Sequence, residues 1–118
     1  MKLVAFVGND KESWGQITAL INRGEWEMVF LLFDKKTGGF PETQNTTNII
    51  INSEQPLLDL KEEMKEKLKN AIGKDFEVAL SLASGNGKEH MSLVSALLGV
   101  PVGIRLVAFT KKGVEFVN

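Results

Sequence analysis

The chain of 118 residues contains no cysteine and no long apolar run. The absence of cysteine excludes disulfides and thiolate metal sites and is typical of intracellular proteins, so we expect a cytoplasmic protein. No apolar run approaches the roughly 18–20 residues of a membrane span. The first residues, Met1 to Val4, enter a strand pattern directly and lack a signal-peptide profile. We therefore expect no membrane association.

The chain also has little excess charge, with 14 basic residues against 15 acidic ones. Without a basic excess, duplex nucleic acid is not an expected partner, because electrostatic attraction supplies most of such binding. His90 is the only histidine, and no carboxylate pair flanks it at ligand spacing, so we expect no metal and no cofactor. The length and an apolar content of 43% fit one globular domain, residues 1–118.

Apolar runs alternate with helical patterns along the chain. The predicted strands are Leu3 to Val7, Met28 to Phe33, Asn48 to Asn52, Phe76 to Ala83, Ile104 to Phe109 and Val114 to Val117. The predicted helices are Trp14 to Arg23, Pro56 to Gly73 and Lys88 to Leu98, and the polar segment Asp34 to Asn48 is predicted to be a loop. This order predicts an α/β fold, a three-layer Rossmann-like sandwich. Its mostly parallel sheet of about six strands ends in an antiparallel C-terminal hairpin.

Ligands of such sheets bind beyond the carboxyl ends of the strands, near the point where the strand order switches. Two loops are predicted there, Gly8 to Ser13 and Ser84 to His90, and we expect them to face each other across one crevice. The second loop joins a buried strand to a helix start, so it gathers backbone N–H groups, the helix dipole and the Lys88 charge. The candidate ligand-binding residues are Gly8, Asn9, Asp10, Ser84, Gly85, Asn86, Gly87, Lys88 and His90.

Named catalytic and phosphate motifs do not fit this second loop. A Walker A loop would need a glycine at Leu82 and a serine or threonine at Glu89. A dinucleotide fingerprint would need a glycine at His90. A triad of Ser84, His90 and Asp10 can be assembled on paper, but Ser84 lacks the Gly-x-Ser-x-Gly elbow. The remaining Gly-x-Gly-Lys turn indicates an anion but no particular one.

Each of these residues also has a purely structural interpretation. Lys88 fits a solvated first-turn residue, and Ser13 or Asp10 fits a cap of the first helix. Gly85 and Gly87 fit a tight strand–helix turn, and His90 fits a surface or rim position. Only their convergence on one crevice favours a functional role.

The segment from Ser84 to Leu93 resembles the glycine–lysine signature that follows strand four of CARF domains. These are CRISPR-associated Rossmann-fold modules that bind cyclic oligoadenylates at a dimer interface. The element order is similar too: a polar loop after the first strand, a short strand at Ile49 to Ile51 before the long helix, and the segment Gly99 to Val107 before the closing hairpin. The resemblance implies a stand-alone CARF-like domain that acts as a homodimer. It also implies a cyclic oligonucleotide, or another phosphate-bearing small ligand, as the partner.

Three functions remain open from the sequence. The first is a sensor of a cyclic oligoadenylate or related nucleotide. The second is a metal-independent ring nuclease, in which the 2′-hydroxyl of the ligand attacks the adjacent phosphate. Its catalytic residues would be Lys88, which stabilises charge together with the N–H groups of Gly87 and Lys88, and Ser13, which positions the ribose. The third is a non-catalytic interaction subunit whose site is vestigial.

The third predicted helix supplies the expected dimer contact. It carries more apolar surface than one small sheet covers, at Met91, Leu93, Val94, Leu97 and Leu98. A symmetric homodimer around this helix would cover the excess.

Overall fold

The computed structural model of the chain describes residues 1–72 and 74–118. The strands are β1 (Lys2–Val7), β2 (Val29–Asp34), β3 (Thr46–Ile51), β4 (Glu77–Ser81), β5 (Gly103–Thr110) and β6 (Gly113–Phe116). The helices are α1 (Trp14–Arg23), α2 (Leu57–Ile72) and α3 (Gly87–Leu98), and a 3₁₀ turn, Lys11–Ser13, precedes α1. The predicted end of the long helix at Gly73 lies outside the described residues.

The six strands form one sheet in the order β3-β2-β1-β4-β5-β6. All neighbouring strands run parallel except β5 and β6, which form an antiparallel hairpin. The predicted α/β class is therefore confirmed, with its mostly parallel sheet and its terminal hairpin. Strands β2 and β3 follow β1 on one side of the sheet, and strands β5 and β6 follow β4 on the other side. The order switches between β1 and β4, so a ligand crevice belongs at their carboxyl ends.

The three helices cover both faces of the sheet. Helices α2 and α3 pack on one face, where Val4 and Phe6 of β1 join the core. Helix α1 packs on the other face, against Leu3, Ala5 and Val7. Successive side chains of a strand point to opposite faces, so the run from Leu3 to Val7 is apolar throughout because β1 is buried on both. Among the described helices, none is long and apolar enough to cross a lipid bilayer.

The segment between β2 and β3 contains no helix among its described residues, 35–45, as predicted. Phe40 from this loop covers part of the α1 face instead. Its ring packs edge-on against Trp14, with ring centroids 5.3 Å apart, and against Phe33 at 5.8 Å. Strand β3 begins at Thr46, two residues before the predicted start, because Thr46 already pairs with Val29 of β2.

The predicted strand from Phe76 to Ala83 is too long. Strand β4 covers Glu77–Ser81, and Phe76 is 91% exposed, so the prediction that the whole run is buried on both faces is wrong. Phe76 precedes the first residue that pairs with β1 or β5. Beyond Ser81 the chain leaves the sheet and turns towards the loop after β1. The apolar run therefore extends past the pairing that defines the strand.

Helix α3 buries only part of its apolar surface in this chain. Leu93 and Leu97 have no exposed surface and belong to the core. Met91 and Leu98 are 59% and 72% exposed, two turns apart on the outer side of the helix. Val94 is partly buried against the core. An exposed apolar stripe remains, and dimerisation through it stays a prediction.

Candidate functional site

The loops after β1 and β4 meet at the Ser84 hydroxyl group. The backbone N–H of Gly8 donates to Ser84 Oγ at 2.8 Å, and Ser13 Oγ lies 2.7 Å from the same oxygen. Ser84 Oγ in turn lies 3.3 Å from Asp10 Oδ1. A hydroxyl has one proton and two lone pairs, so these contacts use its full capacity. The expectation that the two loops face each other is confirmed. Ser84, which has no exposed surface, joins them.

Asp10 adds a second link between the loops. Its Oδ1 accepts the Gly85 N–H at 3.3 Å. Burial acts to raise the pKa of this carboxyl, but hydrogen bonds from Ser13, Gly85 and Ser84 outweigh it and lower the pKa below the ordinary aspartate value. Asp10 is therefore a carboxylate at neutral pH, at the mouth of the crevice.

The prediction that Asp10 or Ser13 caps α1 with its side chain is wrong. Ser13 occupies the N-cap position but makes no side-chain cap bond, and Asp10 makes none to the preceding 3₁₀ turn. The φ and ψ angles of Ser13, −83° and −13°, are helical, whereas a capping side chain needs an extended backbone. Its hydroxyl instead lies 2.7 Å from the Asp10 carbonyl oxygen and from Ser84 Oγ.

Two of the three predicted site glycines are required by the fold. A Cβ atom on Gly8 would lie 2.8 Å from the Cα atom of Gly85, so the loops can approach this closely only without it. Gly85 has φ of +101°, and its Cβ would lie 2.8 Å from the Phe6 ring. Gly87 differs, because a Cβ there would meet no atom within 4 Å. Packing therefore does not explain the glycine at position 87.

The start of α3 is closed by a reciprocal pair of hydrogen bonds. Asn86 Oδ1 accepts the Glu89 N–H at 2.9 Å, and Glu89 Oε1 accepts the Asn86 N–H at 2.8 Å. The His90 N–H donates to the Asn86 carbonyl oxygen. Among the described residues, no group accepts the N–H of Gly87 or of Lys88. These two donors and the helix dipole leave a position for an anion.

Lys88 and His90 contact different parts of the chain. Lys88 is exposed, and its Nζ donates to the Ser53 carbonyl oxygen at 3.0 Å. An ammonium has three donors, so others remain for a ligand. His90 Nε2 donates to the Ser84 carbonyl oxygen at 2.7 Å and thereby holds the loop. Since His90 contacts the carbonyl and not the hydroxyl of the fully buried Ser84, these residues and Asp10 do not form a nucleophilic triad.

Glu89 is a site residue that the sequence predictions omitted. An open depression of about 310 Å³ lies between the loops, lined by Asn9, Asp10, Gly85, Asn86 and Glu89. The Glu89 side chain is buried, and burial raises the pKa of its carboxyl against the hydrogen bond from the Asn86 N–H. The spacing Asn86-x-x-Glu89 is a capping-box pattern, so the sequence did contain the signal that Glu89 turns back towards the loop.

Asp34 is a second omitted carboxylate, at the end of β2. It accepts the Ser53 N–H at 2.8 Å, the Ser53 hydroxyl at 2.6 Å and the Lys36 N–H at 3.0 Å. Burial acts against ionisation, but these hydrogen bonds lower the pKa of the Asp34 carboxyl. Asp34 thus fixes the turn that carries the Ser53 contact of Lys88. The exposed Asn9 is linked to the same turn, since its Oδ1 accepts a hydrogen bond from the Thr37 hydroxyl and the Thr37 N–H donates to the Asp34 carbonyl oxygen.

No protein-family model matches the chain, and a search of curated proteins finds no match.

Proposed function

We propose that the protein is a sensor that binds a phosphate-bearing nucleotide in the crevice between the carboxyl ends of β1 and β4. The observation that carries the proposal is the pair of unpaired N–H groups of Gly87 and Lys88. They lie at the start of α3, where the helix dipole favours an anion. A glycine at position 87 leaves open space through which a phosphate can approach the backbone.

The mixed chemistry of the crevice favours a nucleotide over a simple phosphate ion. The N–H groups and the Lys88 ammonium are donors, which suit phosphate oxygens. Asp10, Glu89 and Asn9 line the depression, which lies beside the start of α3. Their oxygens accept hydrogen bonds and suit ribose hydroxyls or base amino groups. A ligand that carries both kinds of group satisfies the whole crevice, whereas a free phosphate would bind the donors but be repelled by the carboxylates and give them no hydrogen bond.

The resemblance to CARF domains makes a cyclic oligoadenylate the proposed ligand and CRISPR-associated signalling the proposed context. A depression of about 310 Å³ is at the lower end of the range for small-molecule sites, roughly 300–1,000 Å³. A cyclic oligonucleotide is larger, so the proposal includes a homodimer in which two copies each bind part of the ring. The exposed Met91 and Leu98 on α3 support such a contact.

The hydrogen bonds of Ser13 favour the sensor over the ring nuclease. Its hydroxyl is already placed against the Asp10 carbonyl oxygen and Ser84 Oγ. Donating a hydrogen bond to a ribose would require the single proton of the Ser13 hydroxyl to leave these partners. A sensor needs no such rearrangement, because the N–H groups of Gly87 and Lys88 are available as they stand.

The test is calorimetric titration with cyclic oligoadenylates, a linear oligoadenylate, AMP and inorganic phosphate, using Gly87→Ala and Gly15→Ala. Neither substitution meets an atom within 4 Å, and both lie in helices, so both variants should fold at least as stably as the wild type. Gly87→Ala should weaken ligand binding at least about ten-fold, since the methyl group blocks the approach to the N–H groups. Gly15→Ala should bind as the wild type does.

Other results would count against parts of the proposal. If no nucleotide binds, the protein is better explained as an interaction subunit with a vestigial site. If Gly87→Ala binds like the wild type, the ligand does not use the start of α3. An equal response to inorganic phosphate and to the cyclic nucleotides would reduce the crevice to a general anion site.

A further inference from the structure

Strand β3 forms one edge of the sheet and presents free main-chain groups. Carbonyl groups at alternate residues along this segment accept hydrogen bonds from β2. At the two ends, the Val29 N–H donates to the Asn45 carbonyl oxygen and the Lys35 N–H donates to the Ile51 carbonyl oxygen. In a parallel strand the intervening residues then point their N–H and C=O groups outward. In β3 these residues are Thr46, Asn48 and Ile50.

The residues of β3 themselves lack the features that usually prevent strand pairing. Monomeric proteins protect sheet edges with charged residues, proline or bulges, but β3 reads Thr-Thr-Asn-Ile-Ile-Ile. All of these residues except Asn48 are β-branched, which favours strand pairing. Among the described residues, Lys67 covers part of the outward row, since its Nζ donates to the Ile50 carbonyl oxygen, and the Thr43 hydroxyl lies 2.6 Å from the Thr46 hydroxyl. Ile50 itself remains 49% exposed.

We propose that β3 pairs in antiparallel orientation with β3 of a second copy of this chain, around a two-fold axis at Asn48. In this register Asn48 lies opposite its own symmetry mate, and Thr46 lies opposite Ile50 of the other copy. Each opposed pair exchanges two N–H···O=C bonds, so every outward group of the three residues is satisfied. The Ile50 carbonyl oxygen has a second lone pair, so the Lys67 contact can persist beside the new bond.

A second copy is the occupant that the edge chemistry favours. The strand is self-complementary, because none of its six residues is charged and none would meet a like charge on the other strand across the axis. Two Asn48 amides can hydrogen-bond to each other, and Thr46 against Ile50 is a β-branched pair of the kind that stabilises antiparallel strands. The pairing also covers the exposed Ile50 side chain, which lies on the same face as Thr46 and Asn48.

The contact is small compared with a stable interface of about 1,200–2,000 Å², so the dimer should be reversible and depend on protein concentration. It is separate from the dimer in the proposed function, which uses Met91 and Leu98 on α3. The edge contact neither needs a nucleotide nor depends on the crevice.

The test is sedimentation velocity over a concentration series with Asn48→Asp and the control Asn70→Asp, which makes the same chemical change at an exposed position of α2. At neutral pH, Asn48→Asp places two carboxylates opposite each other at about 5 Å and should weaken association at least ten-fold. Association should recover when the pH falls below about 3.9 and the carboxyl groups are protonated. Asn70→Asp should associate as the wild type does.

A second measurement identifies the surface without a variant. On association, hydrogen exchange should slow at the N–H groups of Thr46, Asn48 and Ile50, which face outward in the monomer. A protein that stays monomeric over the whole series would overturn the proposal. So would association that Asn48→Asp leaves unchanged in a Met91→Lys background, since with the α3 contact removed the remaining contact would then not lie on β3.

Discussion

Ser84 Oγ accepts the backbone N–H of Gly8 at 2.8 Å, although the two residues are 76 positions apart in the sequence. The contact exists because β1 and β4 are neighbours in the sheet and run parallel, so their following loops leave at the same edge. It buries the Gly8 N–H with a partner, as a buried backbone donor requires. The contact between the two loops of the crevice therefore depends on the Ser84 hydroxyl group.

Replacing this hydroxyl should destabilise the protein. In Ser84→Ala the buried Gly8 N–H loses its acceptor, which costs about 1–3 kcal/mol of unfolding free energy. The change should appear in urea denaturation. The matched control is Ser92→Ala, also fully buried, whose hydroxyl only donates to the Lys88 carbonyl oxygen within α3. A loss in Ser84→Ala no larger than that in Ser92→Ala would mean that the loop contact contributes little.

The layer arrangement was predictable because it follows from apolar patterning. A continuous apolar run, as in β1, indicates a strand buried on both faces, and an apolar stripe on one side of a helix, as in α2, indicates a helix packed on one face of a sheet. Each pattern is compatible with few layer arrangements. The strand order was not predictable, since it depends on contacts such as Leu3 with Val29 and Ala79 that no local pattern specifies. The end of β4 was misjudged for the same reason. Hydrophobicity continues to Ala83, but pairing with a neighbour ends at Ser81.

The candidate site was predictable to the level of its loops but not of its bonds. The position of Gly8 to Ser13 opposite Ser84 to His90 follows from parallel strands. The contacts of the Ser13 hydroxyl with Asp10 and Ser84 depend on the 3₁₀ turn Lys11–Ser13. This turn has no apolar periodicity from which it could be predicted. Asp34 was missed because its partner, Ser53, lies 19 residues away.

The decline of the unfolding free energy at acid pH should depend on Asp34. Its pKa is lower in the folded than in the unfolded chain, so its stabilising contribution is present above the unfolded value, 3.8, and is lost as the pH falls through the folded value. Asp34→Asn should lower the unfolding free energy at neutral pH and flatten its decline in acid, measured by urea denaturation at several pH values. Asp59→Asn, on the first turn of α2, is the comparison variant. An unchanged decline at acid pH in Asp34→Asn would contradict the assignment.

Glu89 should change the pH dependence of the unfolding free energy in the opposite direction. Its pKa is raised in the folded chain, so the fold favours the protonated form, and stability declines as the pH rises from the unfolded value, 4.5, through the raised value. Glu89→Gln removes the charge but keeps an oxygen for the Asn86 N–H. This variant should lose that decline and should bind inorganic phosphate more tightly above the raised pKa, because the carboxylate that repels a free phosphate is gone. Glu66→Gln, exposed on α2, should change neither. If phosphate affinity in Glu89→Gln matches the wild type, Glu89 does not face the bound phosphate.

Substitutions of Lys88 and Ser13 distinguish a sensor from a ring nuclease. In both cases Lys88→Ala should weaken nucleotide binding by about ten-fold or more, since the lost hydrogen bond is charge-assisted. Lys65→Ala, a partly exposed lysine on α2, is the control and should bind normally. Unchanged affinity in Lys88→Ala would place the phosphate elsewhere.

Cleavage of a cyclic oligoadenylate, followed by chromatography with protein in excess, then decides between the two functions. A sensor should leave the ring intact even after prolonged incubation, and Ser13→Ala should affect only folding, through the lost contacts to Asp10 and Ser84. A nuclease should open the ring, and Lys88→Ala should lower the single-turnover rate at saturating ligand, because charge in the transition state goes unstabilised. Ser13→Ala should then slow cleavage more than it weakens binding. Since the Ser13 hydroxyl is already engaged, we expect the intact ring.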